Sequence, residues 1–258
     1  MSISIISDIH IQSPNSSRYK LLISFLKHPK VYDSKEIYLL GDIFDFMSGD
    51  HDEYFQIYEE YFICLKNLFS KRRISKNYPK VFIIEGNHDF NLSKLYSKFK
   101  RNNFLPSDSI TISQSGLPKN YFGNRYFFCH GDELISKDYI NKLLKSVLTG
   151  PIVRVLIERF VPFNLLDKIG VLLSLKSRKN NIKKKYDYGL IRKIYRHESL
   201  RFAQKNNFDI IVAGHCHVKD LYTLHFEKKS FKYINNGYAP DSKTFIYIEK
   251  NKIEFLYL

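Results

Sequence analysis

The chain has no tryptophan, two methionines and three cysteines in 258 residues. The cysteines, Cys64, Cys129 and Cys216, are odd in number and stand at unrelated spacings, which argues against a disulfide framework and favours a reducing compartment. No run approaches the roughly 18 uncharged apolar residues that a membrane-crossing helix needs. The first residues carry no basic region followed by a cleavage site, so no signal peptide is expected, and the cytoplasm is the expected location. Acidic residues are scarce, 26 against 41 Lys and Arg, leaving a net charge of +15. That excess is local: residues 133–205 hold seventeen Lys or Arg against six Asp or Glu, and the remainder is only mildly basic. With 44% hydrophobic residues the chain is not disordered, and a single domain can bury a substantial core without covalent staples.

Most of the chemistry sits in five short blocks: Ser7-Asp8-Ile9-His10, Gly41-Asp42-Ile43-Phe44-Asp45, Gly86-Asn87-His88-Asp89, His130-Gly131-Asp132 and Gly214-His215-Cys216-His217. Each comes at the end of a short apolar, β-branched or aromatic run, at 3–6, 37–40, 81–84, 126–129 and 210–213, of the kind that forms strands covered on both faces. If these strands are neighbours, their C-terminal ends lie along one edge, where open α/β sheets bind ligands, and groups far apart in sequence converge there.

Ser16 or Ser17 can cap a helix running to about residue 28, apolar residues at three and four spacing predict a helix over 54–69, and 92–99 reads as a shorter one. This alternation predicts a largely parallel sheet with right-handed crossovers. Further helices are expected at 139–148, 152–160, 165–175 and 188–204. They make a helical cap insertion at about 135–205 in an otherwise single domain spanning 1–258. The runs 221–226, 231–235, 244–249 and 253–258 predict a closing antiparallel meander, with Asn236-Gly237 and Lys250-Asn251-Lys252 between strands.

Asp8, Asp42 and Asn87 offer hard oxygens, and His10, His130, His215 and His217 offer imidazole nitrogens. This donor set suits two divalent ions, manganese first, with iron or zinc as alternatives. Seven donors for two ions imply a shared one, and Asp42, a carboxylate with two oxygens, is the choice. Two such ions about 3.5 to 4 Å apart can hold a hydroxide that attacks phosphorus in line. Each block alone also has a plain structural reading, since Asp-x-His recurs by chance and Gly-Asp or Gly-Asn commonly makes a turn. His-x-His on an extended segment turns both rings one way and Cys216 the other, so Cys216 is expected to pack in the core. His28, His51, His197 and His225 have no partner at useful spacing.

The five blocks together resemble the calcineurin-like metallophosphoesterases, whose pattern of D-x-H, G-D-x-x-D, G-N-H-D/E, a lone His and G-H-x-H is matched in full. The resemblance implies an α/β fold, a four-layer α/β/β/α sandwich. It implies one metal site from Asp8, His10, Asp42 and His217 and a second from Asp42, Asn87, His130 and His215. It also implies that His88 protonates the leaving oxygen or, with Asn87, stabilises the phosphorane. Asp89 would then hold the other nitrogen of His88, and Asp45 and Asp132 would orient ligands. Leu39 to Phe46, Cys129 to Leu134 and the helical insertion before Gly214 are similar to the bacterial UDP-2,3-diacylglucosamine pyrophosphatases of lipid A synthesis, in which the insertion forms a lid over acyl chains. That group is typified by G-N-R-D at the third block, where this chain has His88.

The insertion has three readings. Its apolar residues can line an acyl-chain chamber, or lie on a bilayer with nearby Lys and Arg meeting anionic headgroups, or form an ordinary helical hairpin with a basic rim. Lys183, Lys184 and Lys185 can meet a substrate diphosphate or form a solvated turn. The expected partner is therefore a phosphorylated small molecule or lipid-linked nucleotide, with a peripheral position on the inner membrane and no obligate protein partner. A phosphodiesterase or nuclease is the alternative enzyme, with the basic cap as its groove, although the cap is aliphatic rather than rich in stacking aromatics. A scaffold without chemistry is the alternative outside enzymes, and seven intact donors argue against it.

Overall fold

The computed structural model describes residues 1–70, 78–135, 150, 161–166, 168–170, 172, 187–226 and 229–258. A six-stranded sheet has the order β13 (Lys252–Tyr257), β12 (Thr244–Glu249), β1 (Ile3–Ile6), β2 (Glu36–Leu39), β4 (Lys80–Ile84), β6 (Ile110–Ser113). Strands β1, β2, β4 and β6 run parallel, and the hairpin β12–β13 joins antiparallel along β1. A five-stranded sheet has the order β10 (Asp220–Phe226), β11 (Lys229–Asn235), β9 (Ile210–Ala213), β8 (Asn124–Cys129), β7 (Leu117–Tyr121). The short strands β3 (Met47–Ser48) and β5 (Asp89–Phe90) pair beside the site.

Alternation along the strands explains the layering. Ile3, Ile5, Tyr38, Leu40, Phe82 and Ile84 of the first sheet meet Tyr126, Phe128, Ile210, Val212 and Ile234 of the second, forming a core between the sheets. The opposite face of the first sheet, with Ile6, Ile37, Leu39, Val81 and Ile83, is covered by helices α1 (Ser17–Lys27), α2 (Pro29–Asp33), α3 (Glu53–Ile57), α4 (Glu59–Ser70) and α5 (Ser93–Asn102). The opposite face of the second sheet takes α6 (Tyr188–Asn206), which buries Tyr195, Ser199 and Ala203 at four-residue spacing. The result is the four-layer α/β/β/α sandwich.

Local chemistry sets the helix limits. Ser16 caps α1 by accepting the Tyr19 N–H, an interaction worth about 1 kcal/mol. Asp187 caps α6 in the same way, and Asn207 ends it in the left-handed conformation. Arg196 forks onto both oxygens of Asp220 at 2.7 Å each, tying α6 to the start of β10.

Three expectations need correction. The five site strands do not share one sheet: β1, β2 and β4 lie in the first, β8 and β9 in the second. The C-terminal strands do not form one meander, because β11 runs parallel to β9. After Gly237 the chain passes through α7 (Ala239–Ser242) into the other sheet, where β12 and β13 form their own hairpin. Alternating apolar residues specify strands but not which sheet receives them. The helix expected over 54–69 is broken at Tyr58, whose φ of −112° and ψ of 39° are not helical.

Of the insertion expected at about 135–205, 163–166, 168–170 and 172 are helical, and the residues from Tyr188 on belong to α6, which covers the second sheet as a layer of the sandwich instead of capping the site. Phe163 packs on His51 and Tyr54, and Gly170 lies so close to Phe46 that a Cβ would be 2.3 Å from its ring. The helices expected at 139–148 and 152–160, and Lys183, Lys184 and Lys185, lie outside the described residues. The helix expected at 165–175 is described only in part.

Candidate functional site

The C-terminal ends of β1, β2, β4, β8 and β9 deliver the five blocks to one edge of the sandwich. The loops are tied to one another there by main-chain bonds. Ile9 and His10 donate to the Asp42 carbonyl at 3.0 and 2.9 Å, and Gly214 donates to the His130 carbonyl at 2.8 Å. The backbone within them is unusual: Asp8, His10, Asp42, His215 and His217 have φ of 52°, 53°, 52°, 66° and 57°. A non-glycine residue in this region costs of the order of 1 kcal/mol or more and persists where the surroundings over-determine it, commonly at functional sites. Nothing in the sequence marks these five as left-handed, since none is glycine.

The seven donor residues converge as two groups. In the first, His10 Nε2 and His217 Nε2 stand 3.1 Å apart, and His217 Nε2 lies 3.4 Å from Asp8 Oδ1. In the second, His130 Nε2 lies 3.0 Å from both Asn87 Oδ1 and His215 Nδ1. Asp42 joins them, with Oδ2 3.6 Å from His10 Nε2 and 3.5 Å from His130 Nε2. Its other oxygen, Oδ1, accepts the N–H groups of Asn87 and His88 at 3.0 Å each. Asp8 takes the His215 N–H and, at 2.5 Å, the Ser7 hydroxyl.

Two glycines permit this crowding. A Cβ on Gly86 would be 2.2 Å from Asp42 Oδ1, and one on Gly214 would be 2.4 Å from Asp8 Oδ2. Neither has positive φ, so close approach rather than turn geometry requires them.

Electrostatics follow from burial and proximity. Burial opposes the ionised forms of Asp8 and Asp42, yet His217 holds Asp8, and His130 and His88 hold Asp42, below the ordinary carboxylate range. Burial likewise opposes a charge on His130, but the Asp42 carboxylate outweighs it and raises the imidazole well above its usual value. His215, buried beside His130, is lowered to about 4 and is neutral near pH 7.

Neighbouring groups orient the rings. His130 Nδ1 is 2.9 Å from the Leu40 carbonyl, so that nitrogen carries a proton and Nε2 is the nitrogen turned inward. His10 Nδ1 lies 3.7 Å from Asp45 Oδ1. His10, Asp45 and His88 also form a third close group, but it shares His10 with the first, and a neutral imidazole has one lone pair. Asp132 acts on His130 through its charge. Cys216 turns away to pack near Tyr233, and burial pushes its thiol up to about 12.

Asp89 does not hold His88. The His88 Nδ1 is 2.9 Å from the Asp45 carbonyl, while both Asp89 oxygens face main-chain N–H groups. Oδ1 accepts from Asp42 and Gly86 at 2.9 and 3.0 Å, and Oδ2 from Ile43 and Phe44 at 2.7 and 3.3 Å. The reason is geometric: Asp89 enters β5 with its side chain buried under the Asp42 loop, whereas His88 is only half-buried. Sequence reasoning also missed Arg18 and Tyr238, which border His10 and His217.

The donors fit divalent ions. Inward-turned imidazole nitrogens face one another at 3.0 to 3.1 Å beside two desolvated carboxylates, an arrangement that shared cations stabilise.

A four-layer α/β/β/α sandwich with two oxygen-and-nitrogen donor groups meeting at one carboxylate is the architecture of a metal-dependent hydrolase. The description of calcineurin-like phosphoesterases matches residues 1–219, and the chain belongs to that family. It is 23% identical over 251 residues to the UDP-2,3-diacylglucosamine hydrolase of Psychromonas ingrahamii, covering 97% of this chain and 95% of that one. It is 28% identical over 235 residues to the protein of the same name from Blochmanniella pennsylvanica, covering 89% and 84%. Among solved structures it is similar to an archaeal phosphodiesterase, at 12% identity and a TM-score of 0.47 over the whole of both chains.

Proposed function

We propose that the chain hydrolyses the diphosphate of a lipid-linked nucleotide of the UDP-2,3-diacylglucosamine type, using two divalent ions, manganese foremost. Asp8, His10, Asp42 and His217 would hold one ion, and Asp42, Asn87, His130 and His215 the other. The observation that carries this reading is the position of Asp42 Oδ2, almost equally far from His10 and His130 at 3.6 and 3.5 Å. Bound there, the ions supply Lewis-acid charge at phosphorus and ionise a water near neutral pH.

The chain's own residues supply positioning and proton transfer. Asp42 is held by two N–H groups on the oxygen that does not face the imidazoles. His88 donates from Nδ1 to the Asp45 carbonyl, which leaves Nε2 to carry a proton to the leaving oxygen. Asn87, on the same loop, presents its side-chain oxygen to His130, and its amide group can meet a phosphoryl oxygen.

The names of the relatives support the nucleotide-lipid substrate, and the described part of the insertion supports a place for its acyl chains. Leu165, Ile169 and Leu172, at helical spacing, are 50%, 40% and 66% exposed, while Leu166 faces inward. This outward apolar face, in a segment rich in Lys and Arg, suits a cap, within the expected 135–205 but ending before α6, that works on the cytoplasmic surface of the inner membrane. Lys183, Lys184 and Lys185 are proposed as diphosphate contacts on charge alone.

The test is hydrolysis of UDP-2,3-diacylglucosamine by purified protein with manganese, compared with Asp42→Ala. Turnover by the wild type, lost in the variant, supports the reading; no cleavage of any phosphate ester or diphosphate overturns it. His88 favours a second reading, a general phosphodiesterase, since the pyrophosphatase group is typified by arginine there. Cleavage of bis-p-nitrophenyl phosphate without cleavage of the lipid nucleotide selects it.

A further inference from the structure

The imidazoles of the two donor groups are steadied by different means. His130 is fully buried and anchored by the Leu40 carbonyl, and His10 is faced by Asp45. His217 is the open one, with 31% of its side chain exposed, and among the described residues its Nδ1 meets no hydrogen-bond acceptor. What lies against its ring is Tyr238, stacked with centroids 5.0 Å apart and planes at 24°.

Tyr238 is itself fixed from two directions. It follows Gly237, whose φ is +72°, where a Cβ would be 2.6 Å from the Lys219 nitrogen and whose N–H donates to Asn235 Oδ1 at 2.8 Å. On the other side the Arg18 guanidinium lies 5.4 Å from the Tyr238 ring centroid. Arg18 also donates from Nη1 to the His10 carbonyl at 2.9 Å. Arg18, Tyr238, His217 and His10 therefore form a closed ring of contacts around the pair of Nε2 atoms 3.1 Å apart. The His130 and His215 rings meet edge to face at 4.8 Å, as those of His10 and His217 do at 5.1 Å.

We propose that Tyr238, braced by Arg18, is a positioning residue of the group formed by Asp8, His10 and His217, fixing the His217 imidazole and so setting how tightly that group holds its ion. The proposal rests on the two-ion reading above. A metal-bound imidazole carries partial positive charge, and the π face of tyrosine favours it, so the stacking strengthens when the ion is bound. Loss of a group that orients a metal-ligating histidine typically lowers metal affinity roughly 10- to 100-fold. The weakening should fall on one ion of the two.

The experiment is manganese titration of the full chain, read by bound metal per chain and by the electron paramagnetic resonance signal. Wild type should bind two ions and give a coupled-pair signal. Tyr238→Leu, which keeps apolar bulk, and Tyr238→Ala should hold one ion at limiting manganese and give the signal of an isolated ion, with the second recovered at roughly 10- to 100-fold higher concentration. Tyr238→Phe should behave as wild type, and Arg18→Ala should shift the same ion by less. Thermal melting at saturating manganese shows that each variant is folded. Two ions held with unchanged affinity in folded Tyr238→Leu, or equal weakening of both, overturns the proposal. A wild type that binds fewer than two ions overturns the two-ion reading instead.

Discussion

Asp89 Oδ1 accepts the main-chain N–H of Asp42 at 2.9 Å, so the residue that stands between the two donor groups is held by a carboxylate on a different loop. Because the same side chain also takes the N–H groups of Ile43, Phe44 and Gly86, Asp89 clamps two site loops together.

Removing the Asp89 carboxylate therefore leaves the buried N–H groups of Asp42, Ile43 and Phe44 without partners, while that of Gly86 keeps the Asp89 main-chain carbonyl at 3.1 Å. Each such orphan costs about 1 to 3 kcal/mol, so Asp89→Ala should lose at least about 3 kcal/mol of stability even after partial relaxation. Asp89→Asn should not rescue it, because its NH2 group would face N–H donors. Urea denaturation checks the stability. A midpoint within experimental error of wild type would contradict the clamp.

That clamp also shows what can be read from the chain before folding. The five blocks were legible because chemistry-bearing residues recur after apolar runs, and strands of this kind end at one edge. The convergence of Asp8, His10, Asp42, Asn87, His130, His215 and His217 follows from that pattern. The division of β1, β2 and β4 from β8 and β9 was not legible from periodicity, since alternation does not choose between sheets. The left-handed backbone at Asp8, His10 and Asp42 was hidden because it is imposed by the bonds between loops. Arg18 and Tyr238 are single residues of common type in unremarkable contexts, and only the fold brings them to His10 and His217. Asp89 was misassigned because adjacency in sequence suggested a bond to His88, whereas the turn into β5 carries its side chain inward.

Gly86→Ala should abolish metal binding, because the added carbon would lie 2.2 Å from Asp42 Oδ1 and 2.5 Å from the Asp42 nitrogen, both fixed atoms. Gly123→Ala is the contrasting change. Gly123 has φ +81° but nothing near its Cβ position, so only backbone conformation is strained, at about 1 kcal/mol. Bound manganese per chain and melting temperature together separate the two. Full metal content in Gly86→Ala would show that the loop can yield.

His88→Asn should lower kcat by roughly 10²- to 10⁴-fold while both metals stay bound, the loss expected when a general acid is removed. Its ring lies 5.0 Å from that of His10 and it is only half-buried, so the fold should tolerate the change. Steady-state kinetics with metal analysis provides the check. A substrate whose leaving group needs no proton, such as a p-nitrophenyl ester, should be much less affected. An equal loss on both substrates would assign His88 to charge stabilisation rather than proton transfer.

The pH dependence of stability should reverse when metal is added. With chelator present, His130 and His217 have folded-state pKa values above the ordinary 6.5, for although burial opposes their charge, the Asp42 and Asp8 carboxylates outweigh it. Protons bound to them stabilise the fold fully below the unfolded value, and that contribution is lost as pH rises above 6.5 through the raised values. His215, held down to about 4 by burial and by His130, acts in the opposite sense. Its neutral form must be buried, so its cost grows as pH falls below 6.5 and is absent above it. Asp8 and Asp42, with lowered values, lose their contribution only as pH falls through the acid range. Asp89, pushed up to about 7 by burial and the neighbouring Asp42 carboxylate, adds a further loss as pH rises towards 7, so the chelated protein should weaken from pH 6.5 towards pH 8. Saturating manganese requires neutral imidazoles and competes with those same protons, so the loaded protein should gain stability over the interval in which the chelated one loses it. Melting temperatures at pH 6.5, 7.25 and 8, with and without manganese, measure the crossing. Parallel curves would mean that His130 and His217 do not carry the protons that the metal displaces.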